Sequence, residues 1–297
     1  MPTFIAAVRG VLAGMAAAAV LGAQAQTSDT RQQAFEAAAA AAKAVTVAGP
    51  SDIKLGDQAM LKLPAGMEYI PQPAAGRLME AMGNSHDERL LGLVQGSGES
   101  PWLVVARYES AGYIKDDDAK EWNVDDLFKS LKEGTEEGNK RRKDMGFPPL
   151  EIVGWVQKPS YDAATHRLVW SMAARSEGET QEQQSVNYNT YALGREGYMT
   201  LNLITSRATI DRDKPAAHTL LAALQFNDGK RYEDFNSKTD KIAEYGLAAL
   251  VAGVAAKKLG LIAVILAFAA KFAKVLLLAG AGAVAAFTKF FKRRDSA

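Results

Sequence analysis

Between residues 150 and 205 the chain places four strand-like segments in near-direct succession: LEIVGWVQK (150–158), RLVWSMAAR (167–175), SVNYNTYAL (185–193) and GYMTLNLIT (197–205). Strand follows strand with few crossovers, an order that favours an antiparallel sheet with helices packed on it. The rest of the chain fits the same frame. LGLVQG (91–96) and PWLVVARYE (101–109) read as strands joined by the Gly/Ser turn at 96–100. DIKLGDQAMLKL alternates around Gly56-Asp57 and predicts a hairpin over 52–63. Short helices are expected at 74–82 and 214–225. The fold class expected is α+β: a mostly antiparallel sheet flanked by helices.

The last hairpin can be registered residue by residue. If Gly194–Gly197 is a four-residue loop, Leu193 faces Tyr198, Ala192 faces Met199 and Tyr188 faces Leu203. Side chains alternate across a strand, so Ala192, Met199, Leu201, Tyr188 and Leu203 share an apolar face that belongs in the core. The opposite face gathers Asn187, Asn189, Tyr191, Thr200 and Asn202. These five are the candidate binding face. The alternative is an ordinary polar face under solvent or a covering helix. The four tryptophans, Trp102, Trp122, Trp155 and Trp170, fall on or near these elements and read as core or rim residues.

The stretch YIKDDDAKEW (113–122) raises the question of metal chemistry. Downstream, Val124, Leu127, Phe128 and Leu131 recur at i, i+3, i+4 and i+7, so a helix begins near Asn123. Asn123 suits the N-cap, Asp125 and Asp126 the first turn, and the basic run 140–143 the far end. Asp116 and Asp118 have no such structural explanation and are kept as weak metal candidates. Adjacent aspartates point in different directions, however, and the stretch lacks the alternating oxygens, glycine and distant Glu of a calcium loop. His86, His166 and His218 are widely separated. Nothing matches H-E-x-x-H, G-x-S-x-G, a Walker loop or G-x-G-x-x-G. No catalytic residue is nominated, no cofactor is called for, and the expectation is a protein that is not an enzyme.

The two ends point to a membrane. Residues 1–25 combine Arg9, a short apolar run and Ala23-Gln24-Ala25, the pattern of a cleaved signal peptide. Residues 26–48 are an alanine-rich helix or linker. The main domain is placed at 49–235, and a helical membrane anchor at 242–292 with a basic end. From 259 to 288 the chain is long enough to span a bilayer, ~45 Å as a helix. Each lysine near the middle of a span costs about 2.5–3.5 kcal/mol and each large apolar residue contributes about 0.3–0.6 kcal/mol in return, so the segment is membrane-prone but marginal. On a helical projection Lys257, Lys271 and Lys274 share a stripe with Gly253, Gly260, Ala267, Gly282 and Ala285. Small residues let helices approach closely in lipid, and intramembrane lysines face protein or water, so this stripe predicts self-association or a protein partner. The other reading is an interfacial helix with lysines snorkelling to headgroups.

Charge agrees. Residues 26–245 carry 26 Lys/Arg against 33 Asp/Glu, while 246–297 carry 8 against 1. An acidic body argues against nucleic-acid binding, and a basic apolar tail suits contact with membrane lipid. Cysteine is absent, which excludes disulfides and thiolate chemistry. The basic run KFFKRR (289–294) places the C-terminal end in the cytoplasm and the main domain in the periplasm, against the inner membrane.

GYIKDDDAKEWNVDDLFKSLKEG, GWVQKPSYDAATHRLVWS, SVNYNTYALGREGYMTLNLI, and YEDF before AEYGLAALVAG together resemble domain-of-unknown-function family 2167, over roughly residues 49–285. The resemblance implies a bacterial, membrane-anchored envelope protein and carries no catalytic residues. The reading is an envelope protein with a non-enzymatic binding or assembly role. Two alternatives stay open: a metal-dependent periplasmic hydrolase using the Asp116–Asp118 cluster, and a structural or stress-related protein acting through its C-terminal helices.

Overall fold

A computed structural model of the 297-residue chain describes residues 23–97, 102–120, 122–144 and 148–252. Eleven strands form two sheets among these residues. The strands are β1 (Val47–Ala48), β2 (Ser51–Leu55), β3 (Ala59–Leu63), β4 (Met67–Pro71), β5 (Leu90–Gly96), β6 (Leu103–Glu109), β7 (Leu150–Asp162), β8 (Arg167–Ser176), β9 (Ser185–Leu193), β10 (Tyr198–Ser206) and β11 (Leu224–Phe226). The large sheet runs β1-β4-β5-β6-β10-β9-β8-β7 and the small one β11-β3-β2. Every ladder in both is antiparallel. The α+β expectation is met.

Among the described residues five α-helices accompany the sheets: α1 (Ala23–Ala44), α2 (Ala74–Ala81), α3 (Val124–Asp144), α4 (Ile210–Ala223) and α5 (Leu247–Ala252). Alanine spaced at helical intervals lets α1 approach closely. Its Phe35, Ala38 and Ala42 are buried with Ala75, Leu78 and Met79 of α2 and with Leu93 and Val105 of the sheet. The main core lies under α4, where Ile210, Ala217, Leu220 and Leu221 meet Leu61, Leu63, Val186, Tyr188, Leu201 and Leu203.

The hairpin register is the expected one: Leu193 pairs with Tyr198, Ala192 with Met199 and Tyr188 with Leu203. The apolar face enters the core, with Tyr188 and Leu203 fully buried. α4 departs from the expected 214–225. Its last residues are taken by β11, because Leu224 pairs with Leu61 and extends the small sheet. Asn123 does cap α3, its Oδ1 accepting the amides of Asp125 at 3.0 Å and Asp126 at 3.3 Å.

Among the described residues no helix is long and apolar enough to cross a membrane. The expected span 259–288 lies outside the described residues, and with it Gly253, Lys257, Gly260, Ala267, Lys271, Lys274, Gly282 and Ala285. So do residues 1–22 of the expected signal peptide. Residues 242–251, counted with the anchor from sequence, pack on the body. Tyr113 bridges to Ile242, and Leu247, Leu250 and Val251 are buried.

Candidate functional site

The aspartate stretch folds into a loop and a 3-10 turn at Asp117–Lys120, and its carboxylates serve different partners. Asp118 Oδ1 accepts the amide of Leu247 at 3.1 Å, and Oδ2 that of Ala248 at 3.0 Å. It is the cap of α5, satisfying two of the amides that a helix start leaves without partners. Asp116 Oδ2 instead accepts the Tyr161 hydroxyl at 2.8 Å. Among the described residues there is no group of three or more His, Asp or Glu side chains arranged to hold a metal ion.

Asp116 leads to a site that sequence reasoning did not single out. The turn joining β7 to β8 is held by Asp162, whose carboxylate accepts the Ala164 amide at 2.9 Å and the Thr165 hydroxyl at 2.8 Å. The turn leaves His166 in the left-handed region, at φ 53°. His166 Nδ1 lies 3.1 Å from the Tyr161 hydroxyl and 3.8 Å from Asp116 Oδ2. A tyrosine hydroxyl has one proton. Because Tyr161 donates it to Asp116, the network assigns the proton of the second contact to Nδ1. Burial, then the Asp116 hydrogen bond, push the Tyr161 phenol well above its usual range.

His166 also stacks on Tyr232 at 4.0 Å between ring centroids, Tyr232 on Tyr113 at 4.4 Å, and Tyr113 on Phe235 at 3.8 Å. The Tyr232 hydroxyl is anchored to the Ile114 carbonyl at 2.8 Å. These contacts fasten the segment after β11 to the aspartate loop and the β7–β8 turn.

A cleft of about 400 Å³ opens beside this stack. Thr165, His166 and Arg167 form one wall. Arg231, Tyr232 and Glu233 form another, and Ala192, Leu193, Leu224, Gln225 and Phe226 complete it. Gly194 makes this closure possible, since a Cβ there would sit 2.6 Å from the Phe226 ring. Burial pulls the Arg167 guanidinium below its usual range, with Asp162 acting in opposition. Arg167 donates to the Leu224 carbonyl at 3.5 Å, and among the described residues no carboxylate forms an ion pair with it. Arg231 pairs with the exposed Asp228. A smaller cleft of about 110 Å³ lies near His86, Asp87 and Arg107.

The candidate face on β9 and β10 takes a different form from an open surface. Asn189, Tyr191 and Thr200 are buried, Asn202 is half-buried and Asn187 is exposed. The Tyr191 hydroxyl donates to the Leu250 carbonyl of α5 at 3.1 Å, so residues of the covering helix reach this face. Trp102 and Trp170 are buried, Trp122 and Trp155 half-buried. Trp155 meets Phe128 of α3 and Trp170 of β8.

A family model described as a protein of unknown function, DUF2167, matches residues 47–281. The chain belongs to this family. The search of curated proteins finds no match for the DUF2167 chain. Among solved structures, the solution structure of cyanobacterial PsbP (CyanoP) from Synechocystis is similar at 9% identity, over 61% of this chain and 91% of that chain, with a TM-score of 0.36. A likeness this loose transfers nothing to the DUF2167 site. Of the site residues, Tyr161, His166 and Arg167 sit within the segment SYDAATHRLVW, where Asp162 followed by Thr165 is a turn signal readable in sequence. Arg231 and Tyr232 carry no local signal.

Proposed function

We propose that this DUF2167 protein is an envelope protein tethered to the inner membrane by residues 259–288, with its body in the periplasm and a non-enzymatic binding role. The observation that carries the binding role is the cleft of about 400 Å³, whose walls combine apolar floor residues with two arginines and a histidine. A concave site with a few convergent polar groups is what small-ligand recognition requires. The tether is supported by the apolar tail, its basic end and the signal-like first 25 residues. The stripe of Gly and Lys residues in the tail is the place for self-association or a protein partner.

The test is crosslinked co-purification from membranes, paired with carbonate extraction. Retention in the membrane pellet and capture of a ligand or partner lost on filling the cleft (Leu193→Trp) support the proposal. Recovery in the aqueous fraction overturns the tether, and capture unchanged by the cleft variant overturns the binding site.

A second reading has one observation in its favour. Asp116, Tyr161 and His166 form a hydrogen-bonded chain that orients an imidazole at the cleft wall, an arrangement suited to proton transfer. The metal-dependent version is weakened, since Asp118 is engaged in capping α5. Hydrolysis of a general ester panel abolished by His166→Gln would favour this reading over simple binding.

A further inference from the structure

We infer that the cleft between the β7–β8 turn and the segment after β11 binds a small organic carboxylate, held by Arg167 with Arg231 beside it. This rests on the proposed reading of the cleft as a binding site and names its ligand class.

Three observations converge. First, Arg167 is a half-buried cation that donates to a neutral carbonyl, that of Leu224, at 3.5 Å. A guanidinium offers five N–H donors in a planar fork matched to carboxylate geometry, so most of that capacity is unspent here. Asp162 acts on this cation only through space, without an ion-pair contact, and burial still outweighs it; an arriving anion in direct contact offsets the remaining cost. Second, the neighbouring wall supplies Arg231, whose pairing with Asp228 is a surface contact: that aspartate side chain is 94% exposed. Exposed pairs contribute little and exchange readily, so Arg231 is available to a ligand. Third, the remaining lining selects within the anions. The half-buried Phe226 ring provides apolar surface, and Glu233 supplies one negative charge on the same wall as Arg231. Apolar floor and acidic neighbour together disfavour a multiply charged, fully hydrated anion such as inorganic phosphate. They favour a single charge carried on an apolar body.

The experiment uses the full chain in detergent at pH 7, with benzoate, benzamide and inorganic phosphate as probes, read by ligand-observed NMR and calorimetry. Benzoate is expected to bind at least tenfold more tightly than benzamide, which keeps its shape without its charge. Arg167→Gln is expected to weaken benzoate at least tenfold and to leave benzamide unchanged. Arg167→Lys retains charge without the fork and is expected to recover part of the loss. Arg231→Gln gives an independent and smaller loss, and keeps the inference testable should the Arg167 variants fail to fold. Equal binding of benzoate and benzamide at the cleft overturns the carboxylate assignment while leaving the cleft a binding site. Phosphate binding more tightly than benzoate overturns it in favour of an oxyanion site. Benzoate affinity unmoved by both arginine variants overturns the location. If no probe perturbs cleft resonances at millimolar concentration, the binding reading itself fails along with the inference.

Discussion

Asp118 caps the helix that starts at Leu247, 129 residues further along the chain. The contact ties the aspartate loop to the last described helix, and Gly246 is what lets them meet: a Cβ there would lie 2.5 Å from Asp118 Oδ2. Replacing a capping Asp by Ala costs typically about 1 kcal/mol, and up to about 2. Asp118→Ala is therefore expected to lower unfolding stability by about 1–2 kcal/mol. Gly246→Ala is expected to be destabilising through the same contact. Urea unfolding of the purified chain measures both, and a midpoint unchanged in Asp118→Ala would show that the cap is not made in solution.

The Tyr191 hydroxyl and the Leu250 carbonyl form the second attachment of α5, within a buried environment. Tyr191→Phe leaves that carbonyl without its partner, at an expected cost of about 1–3 kcal/mol. Ending the chain after Ala252 is expected to preserve this stability, whereas ending it after Asp240 removes Leu247, Leu250 and Val251 from the core and lowers it further. Hydrogen exchange at β9 and β10 distinguishes the two truncations. Equal protection in both would mean that α5 adds nothing to the body.

These two contacts mark where sequence reading reached and where it stopped. The Leu193–Tyr198 hairpin was legible to the residue, because a short loop and a period of two fix every pair at once. The Asn123 cap was legible because cap and helix are adjacent. Asp118 was not, since its partner lies across the chain and a carboxylate before an unrelated helix has no local signature. The same holds for the cleft. Its walls come from residues 165–167, 192–193 and 224–233, and none is distinctive until tertiary folding brings them together. The period of two places the five polar residues of β9 and β10 on one face, but periodicity does not show what lies above a face.

Acid stability should report on Asp87. Burial alone would raise its carboxyl, but hydrogen bonds from Arg89 and Arg107 outweigh burial and hold it at about 2, below its ordinary 3.8. A depressed carboxylate contributes stability that is present above the unfolded value and lost as pH falls through the folded one. The expected loss therefore runs from about pH 4 down to about pH 2. Asp87→Asn is expected to be less stable than the native chain at pH 7, and to show a flatter decline across that window. Thermal melts at stepped pH check it, and parallel curves for the two proteins would refute the assignment.

Alkaline conditions test the opposite sign. Burial raises the Tyr69, Tyr108 and Tyr188 phenols to about 12 from 10.0. A raised folded value gives stability that is complete below the unfolded value and lost as pH climbs through the folded one. Absorbance at the phenolate band should therefore show all nine tyrosines ionising above their ordinary 10.0, with Tyr69, Tyr108 and Tyr188 ionising only near pH 12, together with unfolding. A single transition near pH 10 with the fold retained would contradict this burial.

Gly194 offers a test confined to the cleft wall. Its amide donates to the Gly197 carbonyl at 2.8 Å within the β9–β10 loop, and the absence of a side chain lets the Phe226 ring and the Lys230 carbonyl close against it. An added methyl must displace that ring or bend the loop, and overpacking of this kind costs typically about 1–3 kcal/mol. Gly194→Ala is expected to destabilise by that order and to shift Phe226 and Tyr232, changing probe binding in the cleft while leaving the Asp118 cap untouched. Chemical-shift mapping separates the two regions. Shifts spread evenly over α5 and the cleft would mean that the two are one mechanical unit, whereas shifts confined to residues 165–167 and 224–233 would locate the perturbation at the site itself.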